Sequence, residues 1–258
     1  VSQAGASDPT SLIALLERLR DGEVSVEQAV SALERTPTGQ VGNIARLDHL
    51  REQRVGAPEI VYGESKTADQ ISTLMLALAA DGSGALATRV DKDKAALVLG
   101  ALGTGEYNAL ARTVEIAPTV PRSAGRGVVG VVCAGTSDIP VGEETAVCLR
   151  FLGHEVSEIR DVGVAGLHRL LGVLPELQKC SVLVVAAGME GALPTVVAGL
   201  LPQPIVAVPT SVGYGVSAGG FAALAGMLSS CAPGLSVVNI DNGIGAAMVA
   251  ARINRKES

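Results

Sequence analysis

Tryptophan is absent from the 258-residue chain, and the other aromatics amount to three Tyr and two Phe. A core must therefore be built from Val, Leu, Ile and Ala, and a surface that stacks nucleic-acid bases on aromatic rings is not expected. Positive charge is also short, with 20 Lys and Arg against 26 Asp and Glu for a formal net charge of -6. Phosphate-backbone recognition needs a basic surplus, so no nucleic-acid partner is expected. Long apolar runs are missing as well. None approaches the roughly 18–20 residues of a membrane span, and Pro194, Pro202, Pro204 and Pro209 interrupt the richest stretch. The opening VSQAGASDPT lacks a basic region followed by an apolar one, so no signal peptide is read and a cytoplasmic location is expected. Metal-site spacing is lacking too. Cys133, Cys148, Cys180 and Cys231 lie far apart without a C-x-x-C pair, and His49, His154 and His168 do not supply clustered zinc ligands. Four scattered cysteines fit a reducing compartment.

What the chain does have is apolar bulk. Hydrophobic residues make up 48% of it and the mean hydropathy is +0.39, an excess expected to go into subunit interfaces. The 31 glycines follow no repeat period, which excludes collagen-like and low-complexity classes.

The first third reads as helices at Ser11–Arg20 and Val26–Arg35, the second opened by Ser25 as N-cap. Strands are expected at Glu59–Tyr62, Ala85–Val90 and Ala109–Ile116, separated by helices at Ala68–Ala80 and Lys92–Leu102. The stretch PTVPRSAGRG, from Pro118 to Gly127, reads as a linker. Beyond it GVVGVVCAG, SVLVVAAG, PIVAVPT and LSVVNI are continuous apolar runs, as in strands covered on both faces of a parallel sheet. Val156–Arg160 is a weaker strand, and helices fit Val141–Leu152, Val164–Leu171, Ala192–Leu200, Val216–Ser230 and Gly245–Ile253. The expected class is α/β: a doubly wound parallel sheet over residues 121–258, preceded by a smaller α+β domain over residues 1–120.

In a doubly wound sheet ligands meet the loops at the carboxyl ends of the strands. Five loops qualify: Ala134–Pro140, Arg160–Val164, Ala187–Leu193, Thr210–Gly219 and Asn239–Gly245. Within them Gly213-Tyr214-Gly215-Val216-Ser217-Ala218 matches G-x-G-x-x-A, either a dinucleotide fingerprint or a cradle for phosphate or substrate. Glu190 interrupts the apolar junction AAGMEGALP, as a solvated carboxylate at a helix start or as a functional group. Asp138 and Ser137 in GTSDIP read as a plain helix cap or as site residues. Cys133, Cys148 and Cys180 read as core. Cys231 ends a helix in SSCAPG, where the helix carboxyl end does not itself activate a thiol. His168-Arg169 reads as a surface pair, and Arg54, Glu64 and Lys66 as phosphate contacts or a solvated face.

The segments GTSDIPVGEE, DVGVAGLHRLL, VVAAGMEGALPTVVAGL, VAVPTSVGYGVSAGG and CAPGLSVVNIDNGIGAA, with RVGAPEIVYGESKT upstream, resemble the LarB family over about residues 40–255. These are the pyridinium-3,5-biscarboxylic acid mononucleotide synthases of nickel-pincer cofactor biosynthesis, a pathway tied to lactate racemase maturation. The C-terminal half also resembles the carboxyaminoimidazole ribonucleotide mutase fold, with flavodoxin-like layering. The resemblance implies nicotinic acid adenine dinucleotide as substrate, carboxylated at ring carbon 5 by carbon dioxide or bicarbonate and hydrolysed to release AMP. It implies no biotin, no ATP and an octameric mutase-like core. Cys231 matches the family nucleophile, Glu190 the acidic residue, and Ser137 and Asp138 the mutase-like loop that holds carbon dioxide or carboxylate. Thr136, Gly188, Met189, Gly191, Ser211, Gly213, Tyr214, Gly215, Asn239, Asp241, Asn242 and Lys66 are the substrate-binding candidates. Magnesium is expected as a cofactor, since it commonly neutralises a phosphoanhydride's charge, and Asp138 or Asp241 is placed to hold its hydration shell; no other metal ligand is read. Two departures stand out: GLHRLL lacks the proline that follows the mutase histidine, and Ala57 replaces a larger aromatic. Two other functions compete. A ribonucleotide mutase would use neither Cys231 nor residues 1–120, and a non-catalytic dinucleotide sensor would keep binding without the cysteine.

Overall fold

The computed structural model describes residues 12–35, 38–41, 45–48, 51–80, 82–122 and 125–256, and the chain divides into two compact units, 1–55 and 56–258. The smaller unit holds α1 (Leu12–Arg20), α2 (Val26–Arg35), an antiparallel pair β1 (Thr38–Val41) and β2 (Ala45–Asp48), and α3 (Arg51–Val55). Ser25 caps α2 as expected: its Oγ accepts from the Gln28 N–H, and the Gln28 side chain accepts from the Ser25 N–H. The β1–β2 pair is not foreseen by the sequence, since TGQV and ARLD are too short and polar to read as strands. His49 and Ser11 lie outside the described residues.

The larger unit contains two sheets. The first orders β3 (Val61–Tyr62), β4 (Ala85–Thr88), β6 (Thr113–Ile116) and β5 (Glu106–Asn108), with α4 (Ala68–Ala79) and α5 (Lys92–Leu102) as crossovers. Thr67 and Gln70 form a capping box on α4, and Asp91 caps α5. The expected strand Ala109–Ile116 is instead the end of an antiparallel hairpin. Asn108 Oδ1 accepts from the N–H groups of Leu110 and Ala111, and this local turn folds residues 109–112 out of the sheet.

The second sheet is fully parallel, in the order β11-β10-β9-β7-β8. Its strands are β7 (Val129–Cys133), β8 (Val156–Ile159), β9 (Val182–Ala187), β10 (Ile205–Pro209) and β11 (Leu235–Val237). The apolar runs become strands because both faces are covered. On one face α6 (Ile139–Phe151) and α10 (Gly243–Ile253) pack on Val131, Val184 and Val206; on the other α7 (Leu167–Leu177), α8 (Ala192–Leu200) and α9 (Phe221–Leu228) pack on Leu183, Val185 and Ala207. Leu86 of β4 and Ala111 join the α6 side of this core, and Asn108 donates to Glu143 of α6 at 2.8 Å. Those contacts make residues 56–258 one compact unit, so compactness divides the chain at 55/56, while the expected boundary at 120/121 separates the two sheets.

Two helices begin later than their patterns suggest. The stretch from Val216 is a short irregular turn over Gly215–Gly220, and α9 starts only at Phe221. Gly219 and Gly220 have φ of 75° and 80°, and a Cβ on Gly220 would lie 2.7 Å from the Thr210 carbonyl oxygen. A tight loop is forced there. Likewise Val164–Gly166 is a single turn, and α7 runs on to Leu177 past Pro175. Among the described residues no helix is long and apolar enough to cross a membrane.

Central strand β9 is buried along its whole length, so its side chains should dominate stability. Leu183→Ala removes a fully buried side chain and should lower unfolding free energy by about 2–5 kcal/mol. Urea denaturation of the two proteins measures this, and an unchanged midpoint would contradict the packing described.

Candidate active site

The parallel sheet reverses its strand order at β7, whose neighbours are β8 and β9. The loops after β7 and β9 diverge there and open a crevice at their carboxyl ends. A cavity of about 370 Å³ fills it, walled by Gly135–Asp138, by Asp161 and Gly163, and by Gly188, Met189 and Glu190. A second cavity of about 310 Å³ adjoins it, because Ser137 and Val212 line both. Its other walls include Glu64, Arg89, Arg112, Glu144, Ser211 and Asp241.

Asp138 organises the first cavity. It precedes α6 but makes no side-chain cap there. Instead Oδ2 accepts from the Gly135 N–H at 2.8 Å, and Oδ1 accepts from the buried Thr210 hydroxyl at 2.6 Å. One carboxylate thus ties the loop after β7 to the loop after β10, across the end of β9. Burial pushes its carboxyl above the usual aspartate range, and the hydrogen bonds from Thr210, Gly135 and Gly188 pull it partly back.

Glu190 stands on the cavity wall just before α8, exposed, with no hydrogen-bond or ionic partner among the described residues. Backbone strain marks the same place. Among the described residues five non-glycines have positive φ: Arg89, Arg112, Asp161, Met189 and Asp241, at 53° to 59°. All five line one of the two cavities. Such conformations cost of order 1–3 kcal/mol each and persist where the surroundings over-determine them, which is typical of sites.

The second cavity is charged. Arg89, at the end of β4, donates to the Asp241 carbonyl at 2.6 Å and lies 3.7 Å from Glu64 and 3.8 Å from Glu144. Its guanidinium also stacks 5.6 Å over the Tyr62 ring. Asp241 accepts from the Ser211 N–H at 2.8 Å. Glu144 is buried on α6, and a Cβ on Gly243 would sit 2.7 Å from its carboxylate, so only glycine admits it against the start of α10. Burial pushes Glu144 up to about 7, opposed by Arg89 and by the N–H groups of Gly243 and Ile244.

Of the residues expected from sequence, Thr136, Ser137, Asp138, Gly188, Met189 and Glu190 share the first cavity, and Ser137, Ser211 and Asp241 the second. Gly191 starts α8, packed against Ala223. Gly213, Tyr214 and Gly215 form a loop beyond both cavities. Asn242 caps α10 through Gly245, Asn239 accepts from the Ile240 N–H, and Lys66 donates to the Tyr62 carbonyl. Cys231 is exposed after α9 and lines neither cavity within one chain; its neighbour Ser230 is held by Thr195 of α8 at 2.9 Å. Cys133, Cys148 and Cys180 are buried, and burial pushes all three thiols up, Cys133 to about 12. His168 is exposed, Arg169 pairs with Asp161 at 2.6 Å, and buried His154 sits 3.0 Å from Asn254. Ala57 is a core residue. Arg89 and Arg112 lie outside every motif, and Glu144 ends the segment GTSDIPVGEE without being singled out as a site residue; the visible trace is the charged pair Glu143-Glu144 in a mostly apolar helix. Among the described residues no three His, Cys, Asp or Glu side chains are grouped to hold a metal ion.

The displaced Glu144 equilibrium has a measurable consequence for stability. Its folded value lies above the usual 4.5, so the proton binds the folded state more tightly. That stabilisation is complete below about 4.5 and is lost as pH rises through about 7. Glu144→Gln stays neutral. It should match the native chain near pH 4.5 and exceed it by roughly 3 kcal/mol above pH 7. Chemical denaturation across this range tests the sign; a variant less stable at high pH would refute it.

Comparison with known proteins agrees with the two-sheet organisation. Residues 39–118 match the LarB/PurE-like N-terminal domain and residues 128–258 the AIR carboxylase domain. An uncharacterized protein of Methanocaldococcus jannaschii is 37% identical over 246 residues, covering 93% of this chain and 95% of that one. The domains are those of enzymes of the carboxylase and mutase kind. With its switch-point crevice in a flavodoxin-like parallel sheet and both domains in sequence, the chain belongs to the LarB family, with an AIR carboxylase-like C-terminal domain.

Proposed function

We propose that this chain carboxylates nicotinic acid adenine dinucleotide at ring carbon 5 and hydrolyses its phosphoanhydride, releasing AMP and pyridinium-3,5-biscarboxylic acid mononucleotide for nickel-pincer cofactor synthesis. One observation carries the reading: two adjoining cavities of different character in a chain of this family. The first is lined by small loops, an unpartnered carboxylate and a hydroxyl, and suits a flat ring and a one-carbon acid. The second sets Arg89 and Arg112 beside Glu64, Glu144 and Asp241, and Arg112 is the cation there that would meet a phosphate.

The chemistry accounts for the residues. A pyridinium ring is too electron-poor to attack carbon dioxide. Addition of the Cys231 thiolate breaks its aromaticity and leaves an enamine whose carbon 5 attacks carbon dioxide. Glu190 then takes the carbon 5 proton, the sulfur–carbon bond breaks, and the ring regains aromaticity. Ser137 and the amides around Asp138 hold the new carboxylate. Neither biotin nor ATP enters. Magnesium, if used, arrives on the substrate phosphates, and no step here runs through it.

Cys231 reaches this chemistry in an assembly. Phe221, Leu228, Tyr214 and Val216 are exposed apolar residues on and around α9, the helix that ends just before Cys231. An apolar face of this kind is suited to burial against other subunits. We therefore propose a cytoplasmic octamer in which assembly brings Cys231 of one subunit to the crevice of a neighbour.

Mass spectrometry after incubation with the dinucleotide, labelled bicarbonate and magnesium should show AMP and a labelled dicarboxylated mononucleotide; absence of both overturns the assignment. Cys231→Ala should abolish label uptake with the fold intact, and Glu190→Gln should slow turnover by about 10²–10⁴. Full activity in either removes that residue from the mechanism. Light scattering showing a 26.1 kDa particle at micromolar concentration would end the octamer proposal.

A further inference from the structure

Hydrolysis of a phosphoanhydride needs a group that deprotonates water, and neither Cys231 nor Glu190 lines the cavity that holds Arg89 and Arg112. The second cavity contains such a group. Glu144 lines it with a side chain 7% exposed. It faces Arg89 at 3.8 Å on one side and the backbone N–H groups of Gly243 and Ile244 on the other. Asn242 takes the Gly245 N–H of α10 at 2.8 Å, and Glu144 serves the first-turn N–H groups of Gly243 and Ile244, so it caps this helix while also lining the cavity. Packing does not explain its presence: α6 is otherwise apolar at its buried positions apart from Thr145, and a buried carboxylate is costly to ionise.

Two arginines share this wall with three carboxylates, Glu64, Glu144 and Asp241. Arg89 and Arg112 have φ of 54° and 56°, and the two strained turns are joined by the Val90 N–H donating to the Arg112 carbonyl at 2.8 Å. Arg89 is committed to Glu64, Glu144 and the Asp241 carbonyl. The Arg112 guanidinium makes no hydrogen bond or ion pair among the described residues, yet faces the same cavity.

Resting on the dinucleotide reading above, we propose that Glu144 is the general base for phosphoanhydride hydrolysis, with Arg112 receiving the charge of the departing phosphate. Water's oxygen forms a bond to one phosphorus as Glu144 takes its proton. The bond from that phosphorus to the bridging oxygen breaks, and its electron pair leaves on that oxygen as the new phosphate terminus of the second mononucleotide. Nothing is oxidised or reduced. Carboxylation and hydrolysis then occupy separate walls of one crevice, linked at Ser137 and Val212.

The base must be ionised, so AMP release should rise with pH. The groups around Glu144 that set this limb are Arg89 and Arg112 from the first sheet, Glu64 after β3, Asp241 before α10 and Cys148 one turn along α6. Burial places the midpoint near 7.

The test is Glu144→Gln in the full chain, which keeps an acceptor toward α10 but cannot take a proton. Given the dinucleotide, labelled bicarbonate and magnesium, it should still take up label and accumulate the carboxylated dinucleotide, while AMP release falls about 10²–10³-fold. In the native chain AMP release should climb through neutral pH. Native AMP release by the variant, equal loss of both steps, or a flat native profile across neutral pH each overturn the inference while the carboxylase reading stands. A native chain that neither takes up label nor releases AMP overturns that reading, and this inference with it.

Discussion

Helix α6 is held between two sheets, and both cavities depend on that confinement. Its buried positions, from Gly142 to Phe151, face the parallel sheet on one side and the four-stranded sheet on the other. The helix must therefore start at the carboxyl edge of β7, with Ser137 and Asp138 in its lead-in turn. Its second turn then carries Glu144 to the strained arginines at the ends of β4 and the β5–β6 turn. A polar residue inside such a sandwich has to find partners in the low-dielectric interior. Glu144 finds the arginine and the start of α10; Thr145 donates to the Val141 and Gly243 carbonyls.

The same economy of partners shapes Asp138. A buried carboxylate with two backbone N–H donors and a hydroxyl locks three loops that a parallel sheet leaves independent. Strain is tolerated where such locks exist. The left-handed Met189 follows Gly188, whose Cβ would collide with the Val212 carbonyl at 2.3 Å, so the loop after β9 has little room to relax. Asp241, also left-handed, is pinned by Ser211 through its side chain and by Arg89 through its carbonyl. A preorganised crevice of this kind suits reactions that need orientation more than motion.

Family and site geometry meet in the division of the crevice. The loops after β7 and β9 supply one wall and the turns of the four-stranded sheet supply the other. The N-terminal segment that distinguishes this chain from a bare AIR carboxylase domain is thus the source of both arginines.

The parallel strands, their covering helices and the edge that bears the functional loops follow from sequence alone, because burial on both faces demands unbroken Val, Leu and Ile runs and leaves glycine-rich loops between them. GTSDIP and AAGMEGALP each show a carboxylate at an apolar strand-to-helix junction, readable as a helix cap or as a site residue, and the fold sets both on the wall of the first cavity. The β5–β6 hairpin was not legible, since a side-chain-to-backbone bond at Asn108 overrides the apolar pattern of Ala109–Ile116. Nor was the late start of α9, which a close approach of Gly220 to Thr210 decides. The second cavity belongs to tertiary structure entirely. Arg89, Arg112, Glu144 and Asp241 are separated by long stretches of chain and share no period. Only the packing of α6 against both sheets brings them to one cavity, with Arg89 3.8 Å from Glu144 and 2.6 Å from the Asp241 carbonyl.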